Sequence, residues 1–327
     1  MVKNRRVIGA IVVACALVLL VGLLRVLCGI LVDYWWFRSV GFSSVYIRVL
    51  SVKVLLWWMG FVLGFGATAS GYLIARRIAA PTPAATYRWG PWTFSPLGFR
   101  RFVAALCWTA AVLVGLVAGS AVVALWYRTL LFLNRVPFGH VDPVFHNDVG
   151  FYVFVYPLAV YLRSLAQVLV WCSFATAVFY YVASGALVVR KSLVIPRRAF
   201  SHLSRTVGVV FVLVAAGYFL DRYSLLYSSE GVAFGAGYTD IHARLPACWI
   251  MLVASLGTAF VFFLAGSPRR LKLVGVSVAV WLGCTVLFQG VYPGFLQWYR
   301  VNANEFQLEE PYIRNTIEQT LKAYKMD

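Results

Sequence analysis

The chain alternates between long apolar stretches without charges and short polar segments that are rich in arginine. A helix that crosses a bilayer core of about 30 Å needs about 20 apolar residues. The stretches that meet or approach this length are residues 7–24, 54–75, 102–127, 164–189, 206–220, 245–267 and 273–293. The pattern predicts an all-α fold, a polytopic membrane helix bundle of about seven transmembrane helices.

The fifth stretch, residues 206–220, is shorter than the others and lies between Arg205 and Asp221. At about 1.5 Å per residue, a helix of this length is shorter than the hydrocarbon core. Short apolar stretches also occur in re-entrant and interfacial segments. Whether this segment crosses the bilayer fully is therefore left open by the apolar pattern alone.

Composition places the chain in the membrane class. Of its 327 residues, 62% are hydrophobic and only 12% are charged. Soluble proteins contain about 45–50% apolar and about 25% charged residues, so a water-soluble globule could not accommodate this much apolar surface. We therefore expect a multi-pass protein of the cell (plasma) membrane, with the lipid bilayer as its surroundings.

Positive charge is concentrated in the segments that an N-in, C-out arrangement places in the cytoplasm. These segments contain Lys3, Arg5, Arg6, Arg76, Arg77, Arg88, Arg100, Arg101, Arg190, Lys191, Arg197, Arg198, Arg205, Arg269, Arg270 and Lys272, whereas all 11 acidic residues fall on the other side. Lys and Arg favour short cytoplasmic loops, so this distribution predicts N-in, C-out. Without the fifth span, the last three residues would move outside, so the charges favour seven spans.

The net charge of +18 raises the question of a nucleic-acid partner. A nucleic-acid-binding protein carries its basic residues on one face or stripe, whereas here they form small clusters at the ends of predicted helices. We therefore predict no nucleic-acid partner, and we expect contacts with anionic lipid headgroups on the cytoplasmic side.

The predicted outer loop before the fourth span contains His140, Asp142, His146 and Asp148. Histidine and aspartate at close spacing can bind zinc or another divalent metal. However, this spacing matches no established metal motif, and the alternative is that the aspartates cap turns. The six cysteines lie mostly in apolar stretches without paired ligand spacing. We predict no cofactor, and these four residues are the candidates for a metal.

The predicted outer loop between the fifth and sixth spans is the other candidate for a functional site. It contains Asp221, Arg222, Glu230, Asp240 and Arg244, with several glycines among them. Glycine-rich turns can bind anions through main-chain N–H groups, but this loop lacks the lysine and Ser/Thr of a P-loop. The alternative is a folded loop that is held together by internal Asp–Arg pairs.

Glycines four residues apart occur in the second span, at Gly60 and Gly64, and in the third span, at Gly115 and Gly119. Such spacing lets two helix backbones approach closely within a membrane. It predicts helix packing within the chain, and a homodimer interface is the alternative.

The segment after the seventh span differs from the rest, so we divide the chain into a seven-helix transmembrane domain, 1–300, and an extracytoplasmic tail, 301–327. Glu309, Glu310 and Pro311 are predicted to open a helix, and Ile313 and Ile317 recur at helical spacing. Such a helix would have little to pack against. The tail is therefore expected to be the start of a truncated soluble domain.

Four stretches resemble an uncharacterised (UPF-class) family of bacterial multi-pass membrane proteins. They are DYWWFRSVGFSSVY at 33–46, DPVFHNDVGFYVFVYP at 142–157, GYFLDRYSLLYSSEGVAFGAGYTDIHARLP at 217–246 and NEFQLEEPYIRNTIEQTLKAY at 304–324. The resemblance implies seven N-terminal helices and, in longer members, a large extracytoplasmic domain. Members of that family continue well beyond such a tail, so the chain is expected to be part of a longer protein. The biochemical function of the family is not established.

These observations favour an anchor that supports an extracytoplasmic domain at the cell envelope. A transporter or channel is the alternative, but ionisable residues in span centres usually mark solute pathways. The ionisable residue Arg163 is expected near the outer end of a span. A membrane enzyme with a metal site in the outer His/Asp loop is the second alternative. The sequence contains no recognisable nucleophile–base arrangement, so we name no catalytic residue.

Overall fold

The computed structural model describes residues 2–79, 87–89, 92–94, 96–189, 193–229, 231 and 233–326. The helices are α1 Val2–Ser39, α2 Ser43–Ile78, α3 Pro96–Val123, α4 Trp126–Leu133, α5 Tyr156–Ala183, α6 Arg197–Ser224, α7 Leu245–Leu264, α8 Leu271–Thr285, α9 Tyr292–Leu296 and α10 Glu305–Tyr324. Two antiparallel hairpins pair β1 Tyr87–Trp89 with β2 Trp92–Phe94, and β3 Val188–Val189 with β4 Leu193–Val194.

The prediction of a seven-span helical bundle is confirmed. Seven helical stretches of the described chain are long and apolar enough to cross a membrane: Leu20–Ser39, Ser43–Ile78, Gly98–Val123, Phe151–Ala183, Arg197–Tyr227, Asp240–Leu264 and Pro268–Val301. Several of these stretches contain wider π-helical turns that continue directly into an α-helix. Examples are Phe151–Val155 before α5 and Asp240–Arg244 before α7. The main chain therefore stays hydrogen-bonded through these junctions.

The apolar pattern left open whether the fifth span is long enough, and the helix proves longer than the apolar stretch. Helix α6 runs from Arg197 to Ser224, which is 28 residues and about 42 Å of helix. The predicted stretch began only after Arg205 because it counted uncharged residues alone. The helix begins earlier, at Arg197, and includes this arginine. The polar part of α6 before Arg205 also packs against α7. There, the buried Ser204 hydroxyl donates a hydrogen bond to the Phe262 carbonyl at 2.6 Å.

The seventh span also extends further than the sequence indicated. It was expected to end near Pro293, but helical structure continues to Val301. Proline lacks an N–H group and so removes one main-chain hydrogen bond from a helix. The π-helical turn Val286–Val291 directly precedes α9, where Pro293 lies in the first turn. Because the wider turn accommodates the missing bond, the proline does not end the span.

The glycine pairs pack α2 against α3 within the chain, as predicted. A Cβ atom at Gly60 would lie 2.6 Å from the main-chain oxygen of Ala118, and one at Gly64 would lie 2.8 Å from that of Val114. The α3 glycines are equally close to α2, where Gly115 contacts the ring of Phe61. These surfaces are already occupied within one chain, so they are not free to form a homodimer interface.

The sequence suggested that Arg163 lies near the end of a span, but the structure places it elsewhere. The turn Phe151–Val155 lengthens α5 at its start, which moves Arg163 into the interior of the helix. Its Nε donates a hydrogen bond to the carbonyl oxygen of Leu213, near the middle of α6, at 2.8 Å. The guanidinium group lies against Gly217, where a Cβ atom would collide with it. The described spans thus contain an arginine that is bonded to the neighbouring helix.

The two ends of the bundle differ in charge. The end at which α1, α3, α6 and the seventh span finish, called the acidic end here, carries every Asp and Glu of the described chain, and α10 follows it. The opposite, basic end carries Arg76, Arg77, Arg100, Arg101, Arg197, Arg198, Arg205, Arg269, Arg270 and Lys272. The charge pattern that the sequence indicated is therefore a property of the folded bundle.

The α2–α3 contact gives a stability prediction. We expect Gly60→Ala to lower the free energy of unfolding by about 1–3 kcal/mol, because the added methyl group meets main-chain atoms of α3 that cannot move independently. Gly66→Ala on the same helix is the matched control, since a Cβ there has no neighbour within 4 Å. Thermal unfolding in detergent micelles measures both. Equal stability of the two variants would contradict the proposed packing.

Candidate functional site at the acidic end

Two of the predicted candidates, Asp240 and Arg244, form an ion pair at the start of the sixth span. Nη1 of Arg244 lies 2.9 Å from Oδ1 of Asp240. The Asp240 side chain is buried, and its Oδ2 accepts a hydrogen bond from the N–H of Gly237 at 3.1 Å. Because one carboxylate bonds both the preceding loop and the following helical turn, it fixes the direction in which the chain enters α7.

The most unusual residue of this region is Glu309 of α10, which the sequence analysis had treated as part of an exposed tail. Its side chain is 4% exposed, and both of its carboxylate oxygens accept the N–H of Tyr238, at 3.1 and 3.2 Å. No Lys, Arg or His of the described chain forms an ion pair with it. A buried carboxylate without a cation is costly unless its oxygens are hydrogen-bonded. The N–H of Tyr238 supplies that bond.

Gly237 makes this contact sterically feasible. A Cβ atom at this position would lie 3.1 and 3.3 Å from the two carboxylate oxygens of Glu309. These distances are tighter than most real Cβ contacts, so a methyl group here would push the carboxylate away by a few tenths of an ångström. Gly237 therefore determines how closely α10 can approach the loop before α7.

A second set of contacts holds α10 on the same loop. The rings of Tyr238 and His242 stack with their centroids 4.1 Å apart, and the Tyr312 hydroxyl lies 3.5 Å from Nδ1 of His242. Further along α10, the Thr316 hydroxyl donates to the Tyr312 carbonyl of its own helix at 3.1 Å and lies 3.4 Å from the carbonyl oxygen of Phe234. The expectation that the tail helix has little to pack against was therefore wrong. The helix begins at Glu305 rather than Glu309, and Pro311 lies inside it.

A small polar cavity lies where the loop, α10 and the seventh span meet. Its volume is about 150 Å³, and its lining includes Asp240, Arg244, Gln297 and Glu309. The Thr239 hydroxyl donates to the Gln297 side-chain oxygen at its edge. A polar space of this size can hold ordered water. The cavity therefore leaves room for ordered water between the loop, α10 and the seventh span.

The carboxylates of the predicted outer His/Asp loop are used within the loop. The oxygens of Asp142 accept hydrogen bonds from the N–H groups of Val144, Phe145 and Asn147 and from the Tyr152 hydroxyl. Those of Asp148 accept the N–H groups of Phe138, Gly139 and Gly150.

These bonds have an electrostatic consequence: the N–H of Phe138, followed by those of Gly150 and Gly139, lowers the pKa of the Asp148 carboxyl below its usual value. His146 adopts a left-handed conformation with φ of 57°. Among the residues that the structure describes, no three His, Cys, Asp or Glu side chains are placed to hold a metal ion together. The geometry accounts for Asp142 and Asp148 as residues that cap turns.

The other candidates of the predicted outer loop lie apart from the cavity. Arg222 packs its guanidinium group over the rings of Phe219 and Trp249, at 3.9 and 4.7 Å from their centroids. Asp221 lies in the last turn of α6, and neither residue lines the cavity. Glu230 lies outside the described residues. The structure thus brings together Asp240 and Arg244 but not the whole predicted set.

The sequence contains a weak signal for Glu309. Four residues separate it from Ile313, so the two lie on the same face of a helix. A carboxylate in line with apolar residues is a reason to expect burial. The sequence could not supply its partner, because Tyr238 lies 71 residues earlier.

Comparison with known proteins places this fold in context. Residues 10–327 match the model of an uncharacterised protein family, UPF0182. A UPF0182 protein of Trichodesmium erythraeum is 32% identical over 97% of this chain, and one of Pelobacter propionicus is 33% identical over 100%. These alignments cover 35% and 36% of the two relatives, so the chain spans about a third of their length. No solved structure matches the chain.

The burial of Glu309 predicts that the docking of α10 depends on pH. Burial raises the pKa of the Glu309 carboxyl above its usual value; nearby Asp240 and Glu305 raise it further, and the Tyr238 N–H opposes them. Docking should therefore be strongest below the pKa of the undocked carboxyl, about 4.3. It should weaken as pH rises through the higher docked value, because the docked state binds the proton more tightly.

Hydrogen exchange of the α10 amides, corrected for the intrinsic effect of pH, measures this dependence. Glu309→Gln keeps an acceptor for the Tyr238 N–H but cannot ionise, so its α10 protection should no longer fall with pH. Glu310→Gln is the matched control, because Glu310 is exposed and pairs only with Arg314 in the same helix. An unchanged pH dependence in Glu309→Gln would show that another group is responsible.

Proposed function

Because the chain belongs to the uncharacterised protein family UPF0182, whose relatives of about three times its length share this region, we propose that it is a membrane anchor. In this proposal, the seven spans lie in the cell membrane with the N-terminus inside. The acidic end and α10 face outward. The bundle supports an extracytoplasmic domain or another envelope protein at that end.

The observation that carries this proposal is the docking of α10. A helix attached to the bundle only through its own chain would turn freely at residues 302–304. Here the Glu309–Tyr238 hydrogen bond and the contact between the Tyr312 and Tyr238 rings add two attachments between the helix and the loop. Whatever the helix carries would therefore be held at a fixed angle to the bundle. A rigid anchor holds its domain at a fixed angle, whereas a flexible tether does not.

The proposed orientation is supported by the charge difference between the two ends. Arginine and lysine in short loops favour the cytoplasmic side, while Asp and Glu contribute little to orientation. The basic end combines many cations with no carboxylate among the described residues. With the basic end in the cytoplasm, the preference of Lys and Arg for cytoplasmic loops is met at every loop that the structure describes.

Solute transport is the alternative function, and Arg163 is the observation in its favour, since charges inside spans mark transport pathways. Its Nε, however, already donates to the Leu213 carbonyl, and the group fits against Gly217. This geometry links α5 to α6 and accounts for the arginine as a packing element. We therefore prefer the anchor. A membrane enzyme has less support than a transporter, because Asp142 and Asp148 are used to cap turns within their own loop.

The proposal predicts the effect of loosening the α10 contact. A fluorescent domain joined directly after Tyr324 should tumble with the whole particle when the wild-type chain is placed in nanodiscs. In Gly237→Ala, the new methyl group requires the Glu309 carboxylate to shift by a few tenths of an ångström, which weakens its bond to the Tyr238 N–H, so the fluorescent domain should tumble faster. Time-resolved fluorescence anisotropy measures the difference.

Gly231→Ala is the matched control, because its Cβ would have only the Ala233 oxygen nearby, at 3.6 Å, an ordinary contact. This variant should behave as wild type. Equal tumbling of the fluorescent domain in all three proteins would contradict the role of α10 as a rigid support.

A further inference from the structure

A basic groove opens at the basic end of the bundle, between the last turn of α2, the first turns of α6 and the chain after α7. It has a volume of about 640 Å³. Its lining consists of Ile74, Ile78, Arg197, Arg198, Ser201, His202, Arg205 and Gly266. None of these residues belongs to the acidic-end site. The groove combines a wall of cations on α6 with an apolar wall on α2.

The cations of the groove share neighbouring faces of α6. Arg197, Ser201 and Arg205 follow one another at intervals of four residues, and Arg198 precedes His202 by four. Residues at this spacing lie above one another on a helix. The first turn of α6 contains no acidic residue, and the N-terminus of a helix carries a partial positive charge of its own. The wall therefore presents a concentrated positive potential.

These arginines have no counter-charge within the described chain. Every carboxylate that the structure describes lies at the opposite end, and no ion pair involves Arg197, Arg198 or Arg205. The acidic end is different, because Arg244, for example, is paired with Asp240. Like charges at helical spacing repel one another. The groove can therefore bind an anion from outside the chain.

The apolar wall indicates what kind of anion fits. Ile74 and Ile78 belong to α2, whose apolar stretch crosses the membrane, and Ile74 is 42% exposed. A soluble anion would leave this surface uncovered. An amphipathic ligand would place a phosphate among the arginines and an acyl chain along α2. Basic pockets between transmembrane helices bind lipid headgroups in this way.

We propose that the groove between α2 and α6 binds an anionic phospholipid, with its phosphate held by Arg197, Arg198 and Arg205. His202 takes part through its Nε2, because its Nδ1 already bonds the Tyr181 hydroxyl of α5 at 3.0 Å. The Ser201 hydroxyl adds a neutral donor between the arginines. The site links α2, α5 and α6 at the end of the bundle where direct contact between α2 and α6 is slight.

Thermal unfolding of the purified protein tests the site. Phosphatidylglycerol added to phosphatidylcholine micelles should raise the unfolding midpoint of wild type, whereas further phosphatidylcholine should not. The variant R197Q/R198Q/R205Q should lose this shift, with an affinity for phosphatidylglycerol at least about tenfold lower. The variant R77Q/R101Q/R269Q should keep it, since it removes the same charge from the same end without touching the groove.

Two results would overturn the proposal. One is an equal shift in both triple variants, which would mean a general attraction to the basic end. The other is an equal shift with glycerol phosphate or inorganic phosphate, which would mean a soluble anion. If the groove variant does not fold, native mass spectrometry compares wild type with Arg205→Gln. Fewer retained phosphatidylglycerol molecules in the variant support the site, and equal numbers contradict it.

Discussion

A hydrocarbon core offers no water to hydrogen-bond a main-chain N–H or C=O group, and the architecture of this chain follows from that constraint. The spans remain helical through wide turns where a proline interrupts the usual bonding, as at Pro293. Most hydroxyl side chains in the spans bond to a carbonyl of their own helix, whereas Arg163 and Ser204 bond to Leu213 and Phe262 of the adjacent helix. The same side chains that satisfy the constraint therefore join α5 to α6 and α6 to α7.

At the two ends of the bundle, where the constraint no longer applies, charge is handled in opposite ways. The acidic end bonds several of its carboxylates within the chain, Asp240 to Arg244 and Asp142, Asp148 and Glu309 to main-chain N–H groups. This produces a folded surface on which α10 rests. The basic end has cations only among its described residues. In the proposed account, one end supports protein and the other contacts anionic lipid.

The sequence predicted the number of spans because each contains enough consecutive apolar residues. It was wrong in two places where a helix includes a charge, since the search for uncharged stretches began the fifth span only after Arg205, although α6 begins at Arg197, and placed Arg163 near an end. Of the candidate site, the alternative of a loop held together by internal Asp–Arg pairs agrees with the Asp240–Arg244 ion pair, although the sequence analysis did not identify which residues pair. It missed the partnership of Glu309 with Tyr238, because no local pattern connects residues so distant in the chain.

The orientation of the two ends is the claim on which both the anchor and the lipid site depend, and cysteine accessibility tests it most directly. In a cysteine-free background, single cysteines replace Glu310 of α10 and Arg269 of the turn before α8. The account predicts that a membrane-impermeant maleimide labels position 310 in intact cells and position 269 only after permeabilisation. Labelling of position 269 in intact cells, with position 310 protected, would contradict it.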